Sequence, residues 1–114
     1  MRNKFGDKER VLHILDAIIE IENYIYKRSK EEFLNNSMMR FASIKQIEII
    51  GEAANQVTQE TQDKFSEIEW KQIIGLRNIL VHEYFGVDDS LIWQIVITDI
   101  PELKVRIIEV LKTL

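Results

Sequence analysis

The sequence has no cysteine, a single proline and only four glycines among its 114 residues. Without cysteine there can be no disulfide, no thiol nucleophile and no thiolate metal site. Histidine is nearly as scarce: His13 and His82 are the only two, 69 positions apart. That is too few ligands, too widely spaced, for a histidine-rich zinc site, so no metal is expected. No apolar run reaches the ~18 residues that a membrane-spanning helix requires. The first ten residues, MRNKFGDKER, are charged and lack the apolar centre of a secretory signal. A cytoplasmic protein without a membrane partner is the expectation. Excess positive charge is also missing, since 15 Lys and Arg face 19 Asp and Glu for a net charge of −4. Coating nucleic acid by counterion release needs many cations, which counts against that role. An enzyme that grips one or two phosphates locally remains possible.

What is present is a chain 46% hydrophobic and 30% charged, ordinary for one soluble domain spanning residues 1–114. Few breakpoints and no sustained β-like alternation indicate an all-α fold. From about Lys8 to Lys27, Val11, Leu12, Leu15, Ile18, Ile19 and Ile25 recur at helical spacing. Ser29 and Glu32 have the three-residue separation of a capping box and open a short helix to about Asn35. A second long helix is expected from Ser37 to Gln62. In it Gly51, Ala53 and Ala54 would let another backbone approach closely. A third is expected from about Glu69 to Tyr84, with Gly86 as the glycine beyond its end. Asp88 or Asp89 can cap the next helix. Pro101 either opens a last helix or kinks a continuous one. Trp70 and Trp93 read as core anchors, and Met38 and Met39 as core filler. Four or five helices of this kind pack as an up-and-down bundle.

The segment GLRNILVHEYFGVD, residues 75–88, carries the chemistry. On an ideal helix at ~100° per residue, apolar residues from 73 to 85 spread over several sides, leaving a narrow polar strip of Lys71, Gly75, Asn78 and His82. Such a helix is expected to be covered on most sides and central to the core or to an interface. Asn78 lies four residues before His82 and can orient the imidazole, while Gly75 leaves a slot beside the pair. Arg77 points ~140° away from His82 and shares a stripe with Tyr84. It either curls round to the histidine or meets the histidine of a second copy in a composite site. Imidazole moves protons near neutral pH, and guanidinium holds phosphate and offsets charge developing on it. RNA supplies its own nucleophile in the 2′-hydroxyl, so this pair suits RNA cleavage without a metal.

RNILVHEY has the form R-x-x-x-x-H-x-Y, set within IEWKQIIGLRNILVHEYFGVD and followed by WQIVITDIPEL, with IIGEAANQV upstream. Together these closely resemble the HepT-like family, once described only as a domain of unknown function, within the HEPN superfamily of α-helical bundles. The likeness covers nearly the whole chain. It implies the toxin of a bacterial or archaeal toxin–antitoxin pair, a metal-independent endoribonuclease acting at the cleft of a homodimer. Carried over by motif position, Arg77 and His82 are catalytic and Asn78 is auxiliary. The implied partner is a minimal nucleotidyltransferase antitoxin that uses ATP and magnesium to transfer AMP to the motif tyrosine, here Tyr84. An adenylate there would compete with an RNA phosphate for Arg77. No cofactor is implied for cleavage itself. The rival expectation is a non-catalytic subunit that docks a nucleotidyltransferase and presents substrate to it.

Overall fold

The fold is that of a computed structural model, which describes residues 6–83 and 86–114. The described residues form an all-α bundle of seven helices: α1 (Asp7–Ile25), α2 (Lys30–Leu34), α3 (Ser37–Gln56), α4 (Gln59–Lys64), α5 (Trp70–Glu83), α6 (Asp89–Gln94) and α7 (Ile100–Thr113). The long helix α3 is the spine, packing on α1 along one side and on α5 along another, while α7 lies against α1. A single core joins Val11, Ile14, Ile18 and Ile21 of α1 to Ile44, Ile47, Ile50 and Ala54 of α3 and to Ile107 and Val110 of α7. None of the described helices is long and apolar enough to cross a membrane.

Local chemistry sets most of the boundaries. Lys27, at a left-handed φ of 57°, turns the chain after α1. The capping box then forms as the spacing predicts: the Glu32 amide donates to Ser29 Oγ at 3.1 Å, and the Ser29 amide donates to Glu32 Oε1 at 3.0 Å. The Ser29 amide, helped by Arg28, holds the Glu32 carboxyl below its ordinary pKa. Arg40 on α3 donates to the Leu34 carbonyl at 2.6 Å, ending α2, and pairs with Asp89 of α6 at 3.2 Å. Asp88 caps α6 by accepting from the Ser90 amide at 2.8 Å. Trp93 tilts against Phe33, ring centroids 5.2 Å apart, and buried Trp70 donates to the Phe65 carbonyl at 3.1 Å. Of the two methionines expected in the core, Met39 is buried but Met38 is 78% exposed. Adjacent residues lie ~100° apart on a helix, so both could not face inward.

Three expectations need correction. The helix from Ser37 does not continue to Gln62; it stops at Gln56, and Thr58 starts a new one. The cause is distant in sequence: fully buried Asp7 accepts from the Thr58 amide at 3.0 Å, from Thr58 Oγ1 at 2.6 Å and from Thr61 Oγ1. Second, within one chain α5 is not central to the core. Only Trp70 and Leu80 are buried along it, whereas Asn78, Ile79, Val81 and His82 are exposed. The small residues of α3 draw the bundle's centre there instead. Third, Gly86 has no left-handed φ, so it does not act as a left-handed cap.

Pro101 neither breaks the chain nor bends a plain α-helix. A π-helical turn at Ile95–Asp99 links α6 to α7, with the Ile100 amide donating to the Ile95 carbonyl, and the proline follows in the first turn of α7. The missing proline N–H falls where a helix start tolerates its loss.

Candidate active site

Arg77 is positioned by α3 rather than by its own helix. A Cβ added to Gly51 would overlap the Arg77 Cβ outright, and would come within 2.9 Å of its Cγ and 3.0 Å of the Ile73 carbonyl oxygen. The bare glycine therefore lets α5 sit flush on α3, with the arginine stem laid across it. The next residue, Glu52, meets the guanidinium: Arg77 Nη2 lies 3.0 Å from Glu52 Oε2. From the other side Arg77 Nη1 donates to Asn78 Oδ1 at 2.9 Å. Two terminal nitrogens are thus anchored, and the fork's remaining N–H groups stay available to an anion. The arginine side chain is 31% exposed, so this cation is held in place yet open to solvent.

His82 lies one turn beyond Asn78 on the same helix and is exposed. Among the described residues it meets no hydrogen-bonding or charged partner. Asn78, expected to orient the imidazole, bonds to Arg77 instead. The structure therefore bonds Arg77 to Asn78 and leaves His82 bonded to neither, with the ~140° offset on one helix turning it away from Arg77. At Gly75 a Cβ would meet nothing within 4 Å, so the expected slot beside the Asn78–His82 strip is open. Tyr84 lies outside the described residues.

Glu52 escaped the sequence reading. Its signal was its place beside Gly51: a carboxylate next to a close-approach glycine is aimed near whatever helix crosses there. Among the described residues, no group of three His, Asp or Glu side chains converges as a metal site would require.

Comparisons with known proteins show the family. The model of the family described as Ribonuclease HepT-like matches residues 14–110. "Putative RNase MJ1380" of Methanocaldococcus jannaschii is 43% identical over 101 residues, covering 85% of this chain and 93% of that protein. "Probable ribonuclease HepT" of Thermococcus cleftensis is 37% identical, covering 89% of this chain and 92% of the relative. "Gamma-glutamylcyclotransferase and putative RNase MJ0434", also of M. jannaschii, is 39% identical but is matched over only 46% of its length. No solved structure matches. The chain belongs to the Ribonuclease HepT-like family.

Proposed function

We propose that this member of the HepT-like family is a metal-independent endoribonuclease toxin, with Arg77 and His82 as its catalytic residues. The observation that carries the reading is an arginine clamped by Glu52 and Asn78, with donors to spare, on the same helix as an exposed histidine that has no partner among the described residues. Arg77 binds the scissile phosphate and offsets the charge that builds on it. His82 takes the proton from the 2′-hydroxyl. The 2′-oxygen bonds to phosphorus as the bond to the 5′-oxygen breaks, and that oxygen leaves with a proton from a second imidazole. The products are a 2′,3′-cyclic phosphate and a 5′-hydroxyl.

One chain supplies a single histidine on this helix, facing away from its arginine. A homodimer resolves both problems, since His82 of one copy can act with Arg77 of the other. The exposed Ile79 and Val81, at 49% and 41% accessibility, flank the site and support such a pairing. Tyr84 follows His82 by two positions and is the residue a minimal nucleotidyltransferase antitoxin would modify with AMP from ATP and magnesium. The bulk and negative charge of that adenylate beside the site would exclude RNA.

The test is expression of the chain with and without its neutralising partner, alongside purified protein and single-stranded RNA. Wild type should arrest growth and yield cyclic-phosphate ends, and His82→Ala should do neither while keeping its helical circular dichroism. Cleavage undiminished in His82→Ala would reject the assignment. Partner binding with no cleavage by wild type would favour a non-catalytic docking subunit.

A further inference from the structure

Beside the Arg77 site, on the far side of Glu52, a surface groove of about 180 Å³ runs between α1 and α3. It is lined by Arg10, His13, Ile49, Glu52, Ala53 and Gln56. Arg10 and His13 stand three residues apart on one face of α1. Among the described residues neither has a hydrogen-bonding or charged partner. Glu52 lines the groove while its carboxylate is engaged by Arg77, so its charge is already matched on one side. The groove thus offers a spare guanidinium, an imidazole and the Gln56 amide above an apolar floor. That floor is Ala53, which is buried, and Ile49, which is partly exposed. These groups suit one nucleotide: a guanidinium and an imidazole N–H for its phosphate, an aliphatic surface for the face of its base, and an amide for the base edge.

The other flank of α5 offers the opposite. A cleft of about 350 Å³ between α3, α5 and α7 has Glu67, Glu69, Asp99 and Glu102 around its rim, with Arg106 the one cation among its lining residues. A polyanion is repelled there.

We infer that the α1–α3 groove binds the nucleotide adjacent to the scissile phosphate of a single-stranded RNA, with Arg10 and His13 on its phosphate. This rests on the ribonuclease reading and extends it by a specific subsite. Glu52 is the shared wall: it anchors Arg77 for the reacting phosphate and bounds the pocket for the neighbouring one. Arg10 and His13 bind and do not take part in bond making or breaking.

The experiment uses the full chain with Arg10→Ala, Arg10→Lys and His13→Ala. The probe is a single-stranded 2′-O-methyl RNA, which cannot be cut, bound at several salt concentrations; cleavage of the matching RNA is measured in parallel. Arg10→Ala should weaken probe binding by about tenfold, the loss of one charge-assisted contact. It should flatten the dependence of log affinity on log salt by roughly 0.7, one phosphate contact on a single strand. Arg10→Lys should keep the salt slope, His13→Ala should weaken binding less, and in the cleavage assay the loss should fall on KM. Affinity and slope unchanged in both alanine variants would overturn the subsite. Arg10-dependent probe binding by a wild type that cuts no RNA would uphold the groove and sink the ribonuclease reading. A wild type that binds no RNA would sink both.

Discussion

Gly51 and Arg77 touch so closely that no side chain fits between them, and this contact fixes where the candidate catalytic arginine stands. Two helices meet at a residue chosen for having nothing to displace. The guanidinium then finds Glu52, the very next residue, 3.0 Å away.

Substituting each of two glycines separates this role from mere helix chemistry. Gly51→Ala adds a methyl where the Arg77 stem lies, an overpacking cost of about 1–3 kcal/mol that outweighs the ~1 kcal/mol gain in helix propensity. Gly75→Ala adds one into open space and should stabilise the isolated chain by about 0.5–1 kcal/mol. Thermal melts of both variants check the opposite signs. RNA cleavage should fall sharply in Gly51→Ala because Arg77 is pushed off its seat.

Removing the anchor tests whether Arg77 must be held. Glu52 is half exposed, so Glu52→Ala should change stability by no more than about 0.5 kcal/mol. Its kcat for RNA should nevertheless fall by about tenfold or more, since a guanidinium free to swing loses its alignment. KM should stay level or drop, because a negative charge near the phosphate has gone. Glu52→Gln, which keeps an acceptor oxygen, should recover part of kcat. A rise in kcat/KM for either variant would mean that Glu52 only repels substrate.

Asp7 is a stability residue on the same logic of burial. Asp7→Ala removes the acceptor shared by the Thr58 amide and the Thr58 and Thr61 hydroxyls in a largely buried corner. A loss of about 2–3 kcal/mol is expected, seen as a melting point lower by roughly 10 °C. Asp7→Asn, which retains an acceptor, should lose less.

Ser43 has the reverse sign. Its hydroxyl is buried in α3 and has no hydrogen-bond partner among the described residues. Ser43→Ala removes that unmet group and adds a better helix former, so about 1 kcal/mol of stabilisation is expected by denaturant titration.

Features that depend on near neighbours could be read from the sequence. Ser29 with Glu32 and Asp88 before α6 are decided within a few residues, and the structure has both. Helix α1 is amphipathic as expected, but its buried face runs through Val11, Ile14, Ile18 and Ile21, while Leu12 and Ile19 of the expected stripe are exposed. The end of α3 at Gln56 could not be read, because it is set by Asp7 some fifty residues earlier. The exposure of α5 was hidden for a related reason: apolar residues on several faces announce burial without naming what does the burying. At the site, Arg77, Asn78 and His82 were legible as a motif, and their offset on one helix was legible as geometry. Which acceptor Asn78 would serve was not, since it depends on where α3 turns the Arg77 head.

The wide turn before Pro101 has a consequence for the last third of the chain. Ile92, Val96 and Ile100 all face the core, yet each step of four overshoots an ideal helix turn by ~40°. The Ile95–Asp99 π turn absorbs that drift, as though a single extra residue had been threaded into the coil. Everything downstream is phased by it. Excise one residue from that bulge, and Ile107 and Val110 would wheel ~100° out of the interior, turning a greasy seam toward water without any change in the helix's own composition.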